Sequence, residues 1–159
     1  AIVLPLAAPV APPAAAAVGP AAEPAPPARD RAPQPGAEQL LLVEDDPRVR
    51  RSIANLLAED GYHVVQASCA EEALALLAED AGRFATMVTD VVMPGMDGIE
   101  LARHVRAEHG LPVLVMSAYP GNRFDASRLP AGVRFLPKTF DATELLDVVA
   151  ELSTLPAAG

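Results

Sequence analysis

The chain has 159 residues, of which 51 % are hydrophobic, and this is enough to build one buried core of ordinary domain size. Its formal net charge of −9 argues against nucleic acid as a direct partner, because phosphate binding needs a basic face. No apolar run approaches the roughly 18 to 20 uninterrupted residues that a membrane span requires, and the single cysteine fits a reducing cytoplasm.

The N-terminal part of the chain differs in composition from the rest. Residues 1–36 contain ten of the 17 prolines together with runs of alanine. Such a segment lacks the large apolar side chains that would offset the entropy lost on ordering. We therefore expect residues 1–37 to be an extended linker, residues 38–155 to form one domain and residues 156–159 to be a tail.

From Gln39 onward, apolar runs of strand length alternate with amphipathic stretches of helix length. Strands are predicted at residues 40–43, 63–67, 85–89, 112–116 and 133–136, and helices at residues 47–59, 71–79 and 99–108. A further helix begins after Asp141, which is placed to form a capping box with Glu144. Residues 120–132 contain Gly, Pro and Asn where a helix needs good formers, so the fourth helix is expected to be short or irregular. The alternation is typical of an α/β fold with a five-stranded parallel sheet and helices on both faces.

Acidic and polar residues stand where four of the predicted strands end. Glu44 and Asp45 follow the first strand, Asp90 the third, Ser117 the fourth and Lys138 the fifth. Because the carboxyl ends of parallel strands meet at one edge of a sheet, we expect these side chains to lie close together. Carboxylates at such distances repel each other unless a cation lies among them, and oxygen ligands without His or Cys favour Mg²⁺. The pattern predicts a magnesium site with Asp45 and Asp90 as ligands and Glu44 assisting through water.

These groups are suited to phosphoryl transfer. The transition state spreads negative charge over three equatorial oxygens, each of which needs a positive or hydrogen-bonding partner. Mg²⁺, Lys138 and Ser117 could supply one each, with Asp90 as the nucleophile. The neighbouring Asp46 precedes Pro47 and is expected to cap the first helix rather than to bind the metal.

Four segments of the sequence resemble the receiver domain of bacterial response regulators. LLVEDDPRVR resembles its first strand and acidic pair, TDVVMPGMDG its phosphorylation loop, VMSAY its switch hydroxyl and FLPKTF its lysine segment. The resemblance covers residues 39–155 and implies a flavodoxin-like fold with strand order 2-1-3-4-5. It also implies that Asp90 is the phosphoacceptor, that Glu44 and Asp45 are the acidic metal pair, and that the main-chain carbonyl of Val92 is a third metal ligand.

Other positions of the resemblance concern the switch and the lysine. Ser117 and Phe135 stand where the family has its switch pair, and Lys138 stands where it has its lysine. Thr139 follows that lysine, whereas the family usually has proline there, often in a cis peptide bond. A non-proline cis bond costs roughly 2.5 to 4 kcal/mol, so we expect a trans bond and a less well-aimed Lys138.

The resemblance implies a phosphoacceptor domain of a two-component phosphorelay, without multiple-turnover activity of its own. Its partners would be a histidine kinase core or a histidine phosphotransfer protein. Residues 1–6, AIVLPL, resemble the closing strand of a histidine-kinase ATP-binding domain, which implies the C-terminal receiver of a hybrid histidine kinase. Two alternatives are a non-phosphorylated docking or inhibitory module, which Thr139 favours, and a Mg²⁺-dependent phosphohydrolase, for which the domain leaves no room for a cap.

Overall fold

The structure is a computed structural model that describes residues 39–118 and 129–155. The strands are β1 (Gln39–Val43), β2 (His63–Ala67), β3 (Phe84–Asp90), β4 (Val113–Ser117) and β5 (Val133–Pro137). The helices of these ranges are α1 (Pro47–Glu59), α2 (Ala70–Asp80), α3 (Gly98–His109) and α4 (Ala142–Ser153), with a short 3₁₀ helix at Ala81–Arg83. None of these helices is long and apolar enough to cross a membrane.

Several predicted features lie outside the described residues. They are the linker, the segment AIVLPL, the tail and most of residues 120–132, where the sequence predicts a short or irregular helix. The remaining strands and helices occur where the sequence predicts them, and α1 has the predicted bounds. Strand β2 also has the predicted bounds. The other elements differ from the prediction by one residue or a few at their ends, where hydrogen bonding rather than hydrophobic pattern sets the limit.

The strands form one parallel sheet with the order β2-β1-β3-β4-β5. This confirms the predicted flavodoxin-like fold class and strand order. From β1 the chain moves to one side to form β2 and then crosses back to form β3 on the other side of β1. The carboxyl ends of β1 and β3 therefore flank the point at which the strand order reverses, where open sheets of this kind bind ligands.

Two separate cores hold the helices against the sheet. Successive side chains of β1 point to opposite faces, so that Leu41 and Val43 join one core and Leu40 and Leu42 join the other. Helices α2 and α3 cover the first face, and α1 and α4 cover the second. Because both faces are covered, β1, β3 and β4 are buried almost throughout and their sequences are nearly continuous apolar runs.

Three helices begin at an aspartate whose carboxylate accepts hydrogen bonds from main-chain N–H groups of the first turn. These residues are Asp46 for α1, Asp97 for α3 and Asp141 for α4. Asp46 thus has the capping role predicted for it, and Asp141 accepts the expected bond from the N–H of Glu144 at 2.8 Å. The caps at Asp46 and Asp97 fix where α1 and α3 begin, directly after the segments that follow β1 and β3.

Candidate functional site

Three carboxylates meet at the carboxyl edge of the sheet. Glu44 and Asp45 follow β1, and Asp90 is the last residue of β3. One carboxylate oxygen of each residue lies within 4.8 Å of the other two. Glu44 is only 1 % exposed and Asp90 only 5 %, whereas Asp45 is exposed to solvent. The fold therefore brings together the three acidic residues that the sequence places at these strand ends.

The donor set of this cluster fits a divalent cation. All three groups are carboxylates, the oxygen ligands that Mg²⁺ prefers. Burial raises the pKa of Glu44; the hydrogen bond from Lys138 opposes this shift, and the charge of Asp90 adds to it. A cation among the three residues would relieve this repulsion and favour the ionised forms. Glu44, Asp45 and Asp90 are thus chemically suited to hold Mg²⁺.

Lys138, the only lysine of the sequence, lies directly after β5 and reaches two of the carboxylates. Its Nζ donates a hydrogen bond to Oε2 of Glu44 at 2.9 Å and lies 3.2 Å from Oδ2 of Asp90. Burial lowers the pKa of Lys138, but the hydrogen bond to Glu44 and the charges of both carboxylates raise it by more. The side chain is therefore held as a cation between two acidic groups from different strands.

The peptide bond between Lys138 and Thr139 is trans, as no described residue has a cis bond. A trans bond was expected here, together with a less well-aimed Lys138. With this trans bond the Nζ of Lys138 still lies 2.9 Å from a carboxylate oxygen of Glu44 and 3.2 Å from one of Asp90. The N–H of Lys138 donates to the carbonyl of Ser117 at 2.6 Å, and the N–H of Phe140 donates to the carbonyl of Pro137 at 3.1 Å. These main-chain bonds keep Lys138 beside the end of β4, and its long side chain covers the remaining distance to the acidic cluster.

The other predicted residues lie around this edge. Ser117 ends β4 and is 5 % exposed. Phe135 is partly buried on β5 and packs against the core beneath α2 and α3. Val92 lies in the loop after Asp90, and its side chain is 61 % exposed. Apart from Phe135, which lies in the middle of β5, the residues singled out in the sequence thus occupy the ends of β1, β3, β4 and β5 and the adjoining loops.

Two residues at the site were missed by the sequence reasoning. The guanidinium of Arg50, on α1, donates a hydrogen bond to the main-chain carbonyl of Glu44 at 2.6 Å. Gly98 begins α3 so close to Asp90 that a Cβ there would lie 1.9 Å from the Asp90 carbonyl oxygen. A signal for Arg50 does exist in the sequence, because helical side chains lean toward the N-terminus and Arg50 is one turn inside α1. The close approach of Gly98 has no comparable signal.

Comparisons with known proteins agree with this architecture. The protein-family model described as the response regulator receiver domain matches residues 40–150 of this chain. The response regulator protein FleR of Pseudomonas aeruginosa is 39 % identical over 126 residues, and the sensor kinase CckA of Brucella abortus is 38 % identical over 120 residues. These alignments cover 77 % and 74 % of this chain but only 26 % and 13 % of the two relatives. The chain therefore corresponds to one part of such proteins.

Solved structures give the same result. The receiver domain of the hybrid histidine kinase CckA superposes with a TM-score of 0.62 at 36 % identity, covering 73 % of this chain and 99 % of that one. The response regulator TrrA of Thermotoga maritima, in complex with Mg²⁺-BeF, superposes with a TM-score of 0.64 at 30 % identity, covering 72 % of this chain and 98 % of that one. In family match, sequence identity and fold alike, the chain belongs to the response regulator receiver domain family.

Proposed function

We propose that this receiver domain accepts a phosphoryl group from a phosphohistidine onto Asp90 with the help of Mg²⁺. The observation that carries the proposal is the place of Asp90 at the end of a central strand, among two other carboxylates and 3.2 Å from the Nζ of Lys138. The TrrA relative in complex with Mg²⁺-BeF supports the same ligand chemistry for this chain.

In this proposal Glu44, Asp45 and Asp90 hold the Mg²⁺, together with the main-chain carbonyl of Val92 that the family resemblance implies. The ion, when bound, offsets the negative charge that the phosphoryl oxygens bring into the cluster. Water completes the six oxygen ligands that Mg²⁺ prefers.

In the transfer step, a carboxylate oxygen of Asp90 attacks the phosphorus atom. The new O–P bond forms as the N–P bond of the phosphohistidine breaks, and the electron pair of that bond stays on the imidazole nitrogen. The ammonium group of Lys138 and the hydroxyl group of Ser117 bind phosphoryl oxygens as charge develops on them. Lys138 pairs with Oδ2 of Asp90, which leaves the second carboxylate oxygen outside the ion pair.

Phosphorylation would then alter the surface beside β4 and β5. An attached phosphoryl group carries about −1.5 to −2 charges at neutral pH. This charge attracts Lys138 and the hydroxyl of Ser117 more strongly than the carboxylate of Asp90 alone. Phe135, which is partly buried, moves further inward behind Ser117 and changes the surface that a partner contacts.

We place the domain in a cytoplasmic phosphorelay, as a receiver of a hybrid histidine kinase. The likeness of residues 1–6 to the end of a kinase ATP-binding domain and the 36 % identity with the CckA receiver support this setting. Residues 1–37 would be the linker, residues 38–155 the receiver and residues 156–159 the tail. The partner is a histidine kinase core or a histidine phosphotransfer protein, and the net charge of −9 disfavours nucleic acid.

Incubation with acetyl phosphate and Mg²⁺, followed by mass spectrometry of the intact protein, tests the proposal. The wild type should gain one acid-labile phosphoryl group, and Asp90→Asn should gain none. Asp97→Asn is the matched control, because it changes an aspartate of the same loop while keeping an oxygen that can cap α3. The proposal is wrong if the wild type and Asp90→Asn behave alike. A docking module would take up no phosphoryl group, and a phosphohydrolase would turn over small phosphate esters repeatedly.

A further inference from the structure

Arg50 lies one turn inside α1, and its side chain returns to the turn that joins β1 to α1. Its Nη1 donates a hydrogen bond to the carbonyl oxygen of Glu44 at 2.6 Å and reaches the carbonyl oxygen of Asp45 at 3.4 Å. Both acceptors are main-chain carbonyls and not carboxylates. Arg50 therefore contacts the backbone of the acidic turn while its charge stands beside the cluster.

The two carbonyls that Arg50 contacts belong to the peptide groups on either side of Asp45. The carbonyl of Glu44 is part of the peptide group before Asp45, and the carbonyl of Asp45 is part of the peptide group after it. Fixing both planes fixes the backbone dihedrals of Asp45 and hence the direction of its Cα–Cβ bond. Asp45 is exposed, so packing does little to orient its side chain. The hydrogen bonds from Arg50 constrain the two peptide groups that flank the Cα of Asp45.

Other contacts among the described residues hold the residues on either side of Asp45. The N–H of Glu44 donates to the carbonyl of Ala67 at 3.1 Å, which continues the pairing of β1 with β2. The N–H of Asp46 donates to Oε1 of Glu44 at 3.2 Å. The turn is thus anchored before and after Asp45, and within the described part of the chain Arg50 contacts the main chain of Asp45 itself.

We infer that Arg50 is a positioning residue for the magnesium site, which orients the Asp45 carboxylate toward Glu44 and Asp90. The inference rests on the proposed function, because it assigns Arg50 a part in metal binding by this cluster. Beyond the proposed function, the inference assigns Arg50 the role of holding the main chain of the turn that carries Glu44 and Asp45.

The carboxylate of Glu72, on α2, interacts electrostatically with the positive charge of Arg50. The N–H and Oγ of Ser68 donate to Oε2 of Glu72 at 2.7 Å and 2.8 Å. These hydrogen bonds lower the pKa of Glu72, and the positive charge of Arg50 lowers it further. An ionised Glu72 near the guanidinium offsets part of the repulsion between Arg50 and a metal ion.

Removing Arg50 should change the Mg²⁺ affinity in opposite directions, depending on whether Arg50 orients Asp45 or acts only through its positive charge. A cation beside the cluster that acted only through its charge would repel Mg²⁺, and its removal would tighten binding. Loss of a group that orients a ligand weakens metal binding, typically by tenfold or more. Arg50→Met should therefore raise the Kd for Mg²⁺ by about tenfold.

Calorimetric titration of the full chain with MgCl₂ tests the inference. Arg50→Lys keeps the charge and can make one of the two hydrogen bonds, so its Kd should lie between those of the wild type and Arg50→Met. Arg51→Met is the matched control, because Arg51 is the exposed neighbour on the same helix, and its Kd should stay within about twofold of the wild type. In acetyl phosphate assays, Arg50→Met should raise the half-saturating Mg²⁺ concentration more than it lowers the maximal rate.

The possible outcomes distinguish the inference from the proposed function. If the wild type binds Mg²⁺ and Arg50→Met binds it equally well or more tightly, the role of Arg50 is refuted while the proposed function stands. If the wild type binds no Mg²⁺, the proposed function fails and the inference fails with it. Thermal unfolding without Mg²⁺ shows whether each variant folds. If Arg50→Met does not fold, Arg50→Lys decides: a raised Kd at an unchanged Tm supports positioning, and an unchanged Kd overturns it.

Discussion

The α-carbon of Gly98 packs directly against the main-chain carbonyl of Asp90. A Cβ at position 98 would stand 1.9 Å from the carbonyl oxygen of Asp90 and 2.7 Å from its carbonyl carbon. Gly98 is the first residue of α3, and its N–H donates to the carbonyl of Val91 at 3.0 Å. The start of α3 therefore rests on the segment that carries the proposed phosphoacceptor, and only a residue without a side chain fits between them.

Replacing Gly98 with Ala should destabilise the domain by about 1 to 3 kcal/mol, because the new methyl group forces the backbone of α3 away from Asp90. Urea denaturation measures this loss. Gly82→Ala is the control, since a Cβ there would meet only the Oδ1 of Asp80 at an ordinary distance of 3.4 Å. Equal losses in the two variants would contradict the close packing at Gly98.

The cap of α3 gives a second prediction about the same loop. The carboxylate of Asp97 accepts hydrogen bonds from the N–H groups of Ile99 and Glu100 at 2.8 Å and 2.9 Å. Asp97→Ala should lower the free energy of unfolding by about 1 kcal/mol, because two N–H groups lose their acceptor. Asp97→Asn keeps a capping oxygen and should cost much less. A similar loss in both variants would show that capping is not the cause.

Much of the fold and of the site could be predicted from the sequence, for a definite reason. The apolar runs and amphipathic stretches determine a parallel sheet, and a parallel sheet places all of its strand ends at one edge. Residues 44, 90, 117 and 138 lie at the ends of four strands or directly after them, so their convergence needs no knowledge of side-chain conformation. The cap at Asp46 was equally accessible, because it depends only on the neighbouring helix start.

The features that the sequence did not predict depend on distances across the fold. The contact of Gly98 with Asp90 depends on the angle at which α3 leaves its loop. Lys138 reaches the acidic cluster although the peptide bond to Thr139 is trans. Its position depends on a main-chain hydrogen bond to β4, which the local sequence does not reveal. Both are tertiary relationships: the expected trans bond is present, but the contacts that Lys138 makes with Glu44 and Asp90 depend on how β5 lies beside β4.

Replacing Lys138, which lies between the buried carboxylates of Glu44 and Asp90, should produce a pH-dependent loss of stability. Burial raises the pKa of Glu44, and the hydrogen bond from Lys138 opposes this rise. A raised carboxyl pKa contributes stability that is present at low pH and lost as the pH increases through the folded-state value. In Lys138→Met the opposing hydrogen bond is gone, so ionised Glu44 becomes more costly. Without Mg²⁺ we expect a loss of about 3 kcal/mol at pH 7.5 and a smaller loss at pH 5.

Urea denaturation at the two pH values measures this difference. The control is Arg134→Met, which removes an exposed cation that pairs with Glu151 on the surface. Its loss should be below about 1 kcal/mol and nearly independent of pH. Losses that are equal at pH 5 and pH 7.5 in Lys138→Met would show that Glu44 does not depend on Lys138 for its ionisation.

The reactivity of Lys138 toward acylating reagents gives a direct measure of the same ion pairs in solution. Only the neutral amine reacts, and Lys138 is the only lysine of the sequence, so labelling reports on one side chain besides the chain terminus. Burial lowers the pKa of Lys138, but its bonds to Glu44 and Asp90 raise it by more, so less of the amine is neutral at pH 8 than in the unfolded chain. Its side chain is also only 19 % exposed.

Acetic anhydride should therefore label Lys138 much more slowly in the folded protein than in urea, as followed by peptide mass spectrometry with the terminal amine as the internal reference. Asp90→Asn removes one of the two carboxylates and should speed the labelling of the folded protein, because a neutral amide no longer favours the ammonium form. Asp97→Asn leaves both carboxylates in place and should label at the wild-type rate. If folded and unfolded chains react at the same rate, Lys138 is not held between Glu44 and Asp90 in solution.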